Sequence, residues 1–323
     1  MMDAEAAMTA TGLAEPTGSA AGELSGVWCP ALTPVDADLR PDPERLVAHA
    51  GWLLRSGCHG LVLFGTTGEA NSFSVEERVE LLEAALEAGL PRDRLLVGTG
   101  CCALSDSVRL TGHALGLGVA GVLMLPPFYY KDLSDEALFA SFDQVIQRVG
   151  TDRFQLFLYH FPRLSGVPIT PGLIERLRRR YPDTTAGVKD SSGDWQNTRM
   201  LIERFPELAI FPGAETLLLP GLKAGGSGCI SASCNVNPGA IRRLYDDYHA
   251  GARGLEAQQE ELTAVRKVLQ LRPLIPVMKH LLADRRGDPA WRRVRPPFLP
   301  LPDVEAEALE SELAGLDWQP PEF

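Results

Sequence analysis

The sequence predicts an α/β protein: a closed (β/α)8 barrel followed by a C-terminal helical extension. Three observations carry that prediction. Eight short apolar runs alternate strictly with eight segments of helical period between residues 26 and 250. The runs are largely apolar rather than alternating, as parallel strands covered on both faces are. No Gly-x-Gly-x-x-Gly turn follows any of the runs, whereas an open doubly wound sheet should show one.

In chain order, strand 26–33 (GVWCPALT) leads to helix 42–56, and strand 60–64 (GLVLF) to helix 74–88. That second helix opens on a Ser74-x-x-Glu77 capping box and carries Val79, Leu82 and Leu86 on one stripe. Strand 94–99 precedes helix 104–117. Strand 120–125 precedes helix 134–148, where Ser134, Asp135 and Glu136 suit the positive end of the macrodipole. Strand 154–158 leads to helix 171–180, whose Pro171 sits in a first turn that tolerates a missing N–H. Strands 185–188, 208–211 and 227–230 are followed by helices 195–205, 215–223 and 238–250. Right-handed crossovers keep all eight helices outside the sheet, which closes it as a TIM barrel. Beyond it, helices are expected at 253–270, 274–284 and 303–315, punctuated by Arg272-Pro273 and Pro296-Pro297. The domain reading is a disordered extension over 1–25, the barrel over 26–250, and a helical extension over 251–323 packed on the barrel's outer helices.

Composition narrows the function classes. The 323 residues carry 31 basic and 42 acidic side chains, a net charge of −11. Such a surface repels phosphate backbones and acidic membranes, so nucleic-acid and membrane roles are not expected. The Arg285–Arg295 stretch is broken by Asp288, Pro289 and Trp291. No apolar run approaches the length of a membrane span, about 18 residues. Residues 1–25 lack Lys and Arg and a continuous apolar core, so they do not read as a signal peptide. Six cysteines without a C-x-x-C pair read as reduced, buried thiols, and a cytoplasmic protein is expected.

In a (β/α)8 barrel the reactive groups stand at the carboxyl ends of the strands. The chain has 26 Arg but only five Lys, and Lys189 alone terminates a strand. Desolvation in a barrel mouth favours a neutral lysine amine, the nucleophile of Schiff-base chemistry. Pairing of Lys189 with the adjacent Asp190 is the structural alternative. Tyr159 ends the fifth run, and neighbouring strands lie about 4.8 Å apart, so its phenol can meet Lys189 and move protons; filling the barrel top is its alternative role. Gly65-Thr66-Thr67-Gly68-Glu69 follows the second strand, where glycine backbone and two hydroxyls suit a carboxylate, though a tight strand-to-helix turn explains it equally. The six histidines lie singly, so no metal site is expected. His160, next to Tyr159, is a candidate substrate contact.

Together, GTTGE after strand two, PPFYY after strand four, LYHFP at strand five and GVKDSSGD at strand six resemble the dihydrodipicolinate synthase and N-acetylneuraminate lyase family. The resemblance spans about residues 24 to 300. It implies a pyruvate-dependent class I aldolase, assembled as a homotetramer of tight dimers, with a covalent imine in place of any metal or organic cofactor. By that resemblance Lys189 forms the imine with a 2-oxo acid, and Tyr159 shuttles protons. Gly65, Thr66 and Thr67 hold the carboxylate, with Thr67 relaying protons toward Tyr129. Tyr129 completes a neighbouring subunit's site, with Tyr130 as the alternative one position on, and Ile230 lends its backbone carbonyl. The family's synthases carry an arginine five residues after the tyrosine, where this chain has Leu164. The resemblance therefore favours aldolases of 2-oxo-3-deoxy sugar acids or hydroxy-oxoglutarate. A dihydrodipicolinate synthase proper and a non-catalytic 2-oxo-acid binding protein on the same fold are the alternatives.

Overall fold

The computed structural model describes residues 24–316, 318–319 and 321. The segment expected to be a disordered extension lies outside them, apart from Leu24 and Ser25. Eight strands follow: β1 (Gly26–Pro30), β2 (Gly60–Leu63), β3 (Leu95–Gly98), β4 (Gly121–Met124), β5 (Leu156–His160), β6 (Thr185–Asp190), β7 (Ala209–Pro212) and β8 (Gly228–Ile230). They hydrogen-bond in parallel in the order β7-β6-β5-β4-β3-β2-β1-β8. The Ser227 N–H donates to the Ile210 carbonyl at 3.0 Å, drawing β7 and β8 together and all but closing the ring. This is the (β/α)8 TIM barrel that the alternation of runs predicts.

Each strand divides its side chains between two cores, because successive residues point to opposite faces. Trp28, Val62, Leu96, Leu123, Phe157, Phe211 and Ile230 fill the barrel interior. Val27, Cys29, Leu61, Leu63, Leu156, Leu158 and Val188 face the surrounding helices. Both sets are buried, so the strands read as continuous apolar runs.

The helices around the ring are α1 (Pro43–Arg55), α2 (Val75–Glu87), α3 (Leu104–Gly116), α4 (Asp135–Val149), α5 (Pro162–Ser165), α6 (Pro171–Arg180), α7 (Trp195–Arg204), α8 (Leu218–Lys223) and α9 (Pro238–His249). The capping box of α2 is formed in both directions. Ser74 Oγ accepts from the Glu77 N–H, and the Glu77 carboxylate accepts from the Ser74 N–H. The Ser134 side chain caps α4 in one direction, accepting from the Ala137 N–H. The single turn α5 has no counterpart in the sequence reading, since four residues are too few to show a period.

Three further helices complete the described chain: α10 (Leu255–Leu269), α11 (Leu274–Arg286) and α12 (Asp303–Ala314). Leu262 of α10 belongs to the outer core of the barrel. Residues of α10, α11 and α12 form a separate core with Leu32, Ala232 and Val236, which follow β1 and β8. The extension therefore reaches past the outer helices to the carboxyl ends of two strands, the end where barrel chemistry sits. No helix among the described residues is long and apolar enough to cross a membrane.

Candidate active site

Strands β5 and β6 pair with Tyr159 level with Lys189 and His160 level with Asp190. In a parallel ladder, residues at one level share a face, so the first pair points into the barrel and the second outward. Lys189 is 3% exposed, and its Nζ lies 4.3 Å from the centroid of the Tyr159 ring. Asp190 is occupied elsewhere. Its carboxylate accepts from Thr198 Oγ1 at 2.6 Å, Asn197 Nδ2 at 3.0 Å and the Ser192 N–H at 2.9 Å. The alternative of a Lys189–Asp190 pair is thereby removed. Among the described residues, the ion pair buried on both sides is Glu69–Lys279, and Glu215 pairs with the partly buried Arg266; neither includes Lys189.

The turn after β2 carries two non-glycine residues in the left-handed region, Phe64 and Glu69, both at φ 55°. Side chains tolerate that region poorly, and such strain persists only where the surroundings over-determine it. Here they do. The Glu69 N–H donates to the Thr66 carbonyl, the Ala70 N–H to Gly65, and Thr33 Oγ1 to the Gly68 carbonyl at 2.8 Å. The Thr66 and Thr67 N–H groups donate to no acceptor among the described residues. Paired free amides at a tight turn are a cradle for a carboxylate.

The Thr66 hydroxyl stands 3.4 Å from the Tyr159 phenol oxygen. The hydroxyl within reach of the Tyr159 phenol is thus that of Thr66, the first of the two threonines of the turn. Between this turn and Tyr159 lies a small cavity of about 20 Å3, lined by Gly65, Thr66, Asn71, Gly100, Leu125 and Tyr159 among others. Lys189 lies against the Tyr159 ring rather than on that wall.

His160 does not join the site. It alternates with Tyr159 onto the outer face, and its Nδ1 accepts from the Ile169 N–H at 3.0 Å. Burial pushes its pKa below the usual imidazole range, partly opposed by the Asp190 charge. Its Nδ1 is thus committed to a structural bond. Ile230 ends β8 with its side chain in the barrel interior. Tyr129 and Tyr130 are 74% and 71% exposed, with their rings edge-to-face at 5.3 Å. No group of three or more His, Cys, Asp or Glu among the described residues could hold a metal ion.

The model of the dihydrodipicolinate synthetase family matches residues 23–315. The chain belongs to that family. Among its curated relatives, an uncharacterized DapA-like lyase of Chloroflexus aurantiacus is 36% identical over 290 residues, covering 90% of this chain and 96% of that one. Among solved structures, the dihydrodipicolinate synthase of Agrobacterium tumefaciens is 30% identical with a TM-score of 0.83, covering 91% and 99% of the two chains. YagE, a prophage protein of the same family from E. coli K12 solved in complex with pyruvate, is 27% identical with a TM-score of 0.82, covering 91% and 98%. As a dihydrodipicolinate synthetase family protein, this chain is a lyase of the class I aldolase type.

Two features of this family member escaped the sequence reading. Glu215, after β7, is buried against Ser231 and Arg266, and Arg266 Nη1 also reaches Ser233 Oγ at 3.0 Å. Glu69, the last residue of the GTTGE turn, is paired with Lys279 of α11, and both side chains are fully buried. The scarcity of lysine that singled out Lys189 applied equally to Lys279, which sits in the apolar run IPVMKHLL. Its helical position concealed it, because a helix of the extension was not expected at the barrel mouth.

Proposed function

We propose that this chain is a pyruvate-dependent Schiff-base lyase that makes or breaks a carbon–carbon bond of a 2-oxo acid. The observation that carries the reading is the buried Lys189 amine beside Tyr159, with no carboxylate paired to it and the Thr66 hydroxyl next to the phenol. In this reading Lys189 Nζ attacks the ketone carbon while the N–H groups of Thr66 and Thr67 hold the carboxylate. Tyr159 carries a proton to the carbinolamine oxygen, which leaves as water. The protonated imine withdraws electrons from the adjoining carbon, so the bond beyond it breaks or forms through an enamine. The lysine imine serves as the electron sink, and the reading calls for no metal or organic cofactor.

For substrate class the reading favours 2-oxo-3-deoxy sugar acids or hydroxy-oxoglutarate over the synthase reaction. Leu164 stands where the synthases of the resemblance carry a carboxylate-gripping arginine, and it is 63% exposed on α5. The homotetramer belongs to the same reading, with the exposed Tyr129 reaching a neighbouring subunit's site.

Borohydride reduction in the presence of pyruvate tests the chemistry. One carboxyethyl adduct on Lys189, absent from Lys189→Ala, is the expected result; an adduct on another lysine, or none, refutes it. A panel of 2-oxo-3-deoxy acids assayed for pyruvate release then tests the substrate class.

A further inference from the structure

We infer that Lys279 and Glu69 are positioning residues for the substrate carboxylate, through which the C-terminal extension holds the GTTGE turn in its binding shape. The inference rests on the lyase reading above and extends it to residues outside the site. Glu69 closes the turn at φ 55°, a conformation its own backbone does not favour. Its carboxylate is tied at both oxygens. Oε1 accepts from Lys279 Nζ, and Oε2 accepts from the Arg295 N–H at 3.1 Å. Lys279 Nζ donates also to the Arg293 carbonyl at 3.0 Å. The Arg295 guanidinium continues the strap, donating to the carbonyls of Leu39 and Ser72, each at 2.7 Å.

Two consequences follow from this tie. The left-handed Glu69 orients the peptides on either side of it, and its N–H closes the turn onto the Thr66 carbonyl at 3.0 Å. Releasing the side chain lets the backbone relax and disturbs the peptides that carry the Thr66 and Thr67 N–H groups. The Lys279 ammonium also cancels the Glu69 charge in a turn that must receive another carboxylate. Both effects act on binding of the 2-oxo acid, while Lys189 and Tyr159 stay on β6 and β5.

The test uses full-length Lys279→Met and the double variant Glu69→Met/Lys279→Met. Removing one partner strands a buried charge, whereas replacing both by apolar groups of similar volume is often tolerated, so the double variant decides the matter if the single one does not fold. The expected result is a rise of about tenfold in the pyruvate concentration that half-saturates borohydride trapping, the loss of roughly one well-placed charge-assisted bond. The limiting trapping rate should stay within about threefold, a range over which barrier changes are small. Hydrogen exchange at the Glu69 and Ala70 amides should quicken. Unchanged half-saturation in the folded double variant overturns the inference, as does a limiting rate that falls as far as the affinity. If the wild-type chain traps no pyruvate, the lyase reading falls by itself. Exchange then decides the inference alone, and undiminished protection of these two amides in the double variant overturns it.

Discussion

At the level of single residues, the arrangement separates two carboxyl-terminal neighbours that the sequence places side by side. Lys189 goes inward to an aromatic ring, and Asp190 goes outward to three hydrogen-bond donors. Period-two geometry enforces the split, which is why an adjacent acid does not quench the amine. Tyr159 serves the site in two ways, by its ring against Lys189 and by its hydroxyl against Thr66. Tyr159→Phe keeps the first and deletes the second. It should fold normally and lose turnover by about 10²–10⁴-fold, the usual contribution of a positioned proton donor, as steady-state pyruvate release would show. A fall of less than about tenfold would move the proton shuttle to another group. Which threonine faces the phenol was not legible in GTTGE, since the answer depends on the left-handed residues that bracket the turn.

At the level of elements, β6 is fixed to α7 through Asp190. Thr198→Val removes the 2.6 Å bond from the Thr198 hydroxyl and leaves a fully buried carboxylate oxygen with one donor fewer. The expected cost is about 1–3 kcal/mol, to be read as a shift of the urea midpoint. The eight strands were legible because burial on both faces makes them plain apolar runs, and the helices because Ser74, Ser134 and Pro171 mark their starts. The apolar run of the fifth strand covers 154–158 with Tyr159 at its end, and the observed strand goes on through His160, a polar but buried residue that the run does not announce. The outward turn of His160 follows from the same alternation, once the strand is extended through it.

For the molecule as a whole, stability depends on buried imidazole that stays uncharged. His49 is enclosed by Trp52 and Trp291, accepts at Nδ1 from Arg286 and donates at Nε2 to Asn235. Burial, aided by the Arg286 charge, lowers its pKa to about 3. Between the ordinary histidine value and about 3, the unfolded chain binds a proton at this position and the folded chain does not. Stability from this group is complete above the ordinary value and declines as the pH falls through that window, by at most about 1.4 kcal/mol per pH unit. Urea midpoints measured at descending pH should show the decline, and a folded His49→Gln variant should show a shallower one. At this scale the barrel was legible in the chain and the reach of its extension was not. Glu69 and Lys279 are 210 positions apart, and no local pattern announces so distant a pairing.

The ladder between β5 and β6 slips by one place: Leu156 lies opposite Thr185, but Phe157 lies opposite Gly187, so Ala186 is a supernumerary residue. Ala186 joins the interior core although Val188, of the same parity, faces out. Gly187 has no substitute there, since a methyl group would sit 2.3 Å from the Ala209 carbonyl oxygen. Uninterrupted pairing from Leu156 onward would set the phenol beside Val188 and the amine beside the imidazole of His160. A single bulged alanine thus absorbs the surplus residue of β6, and nucleophile and phenol stand abreast because of it.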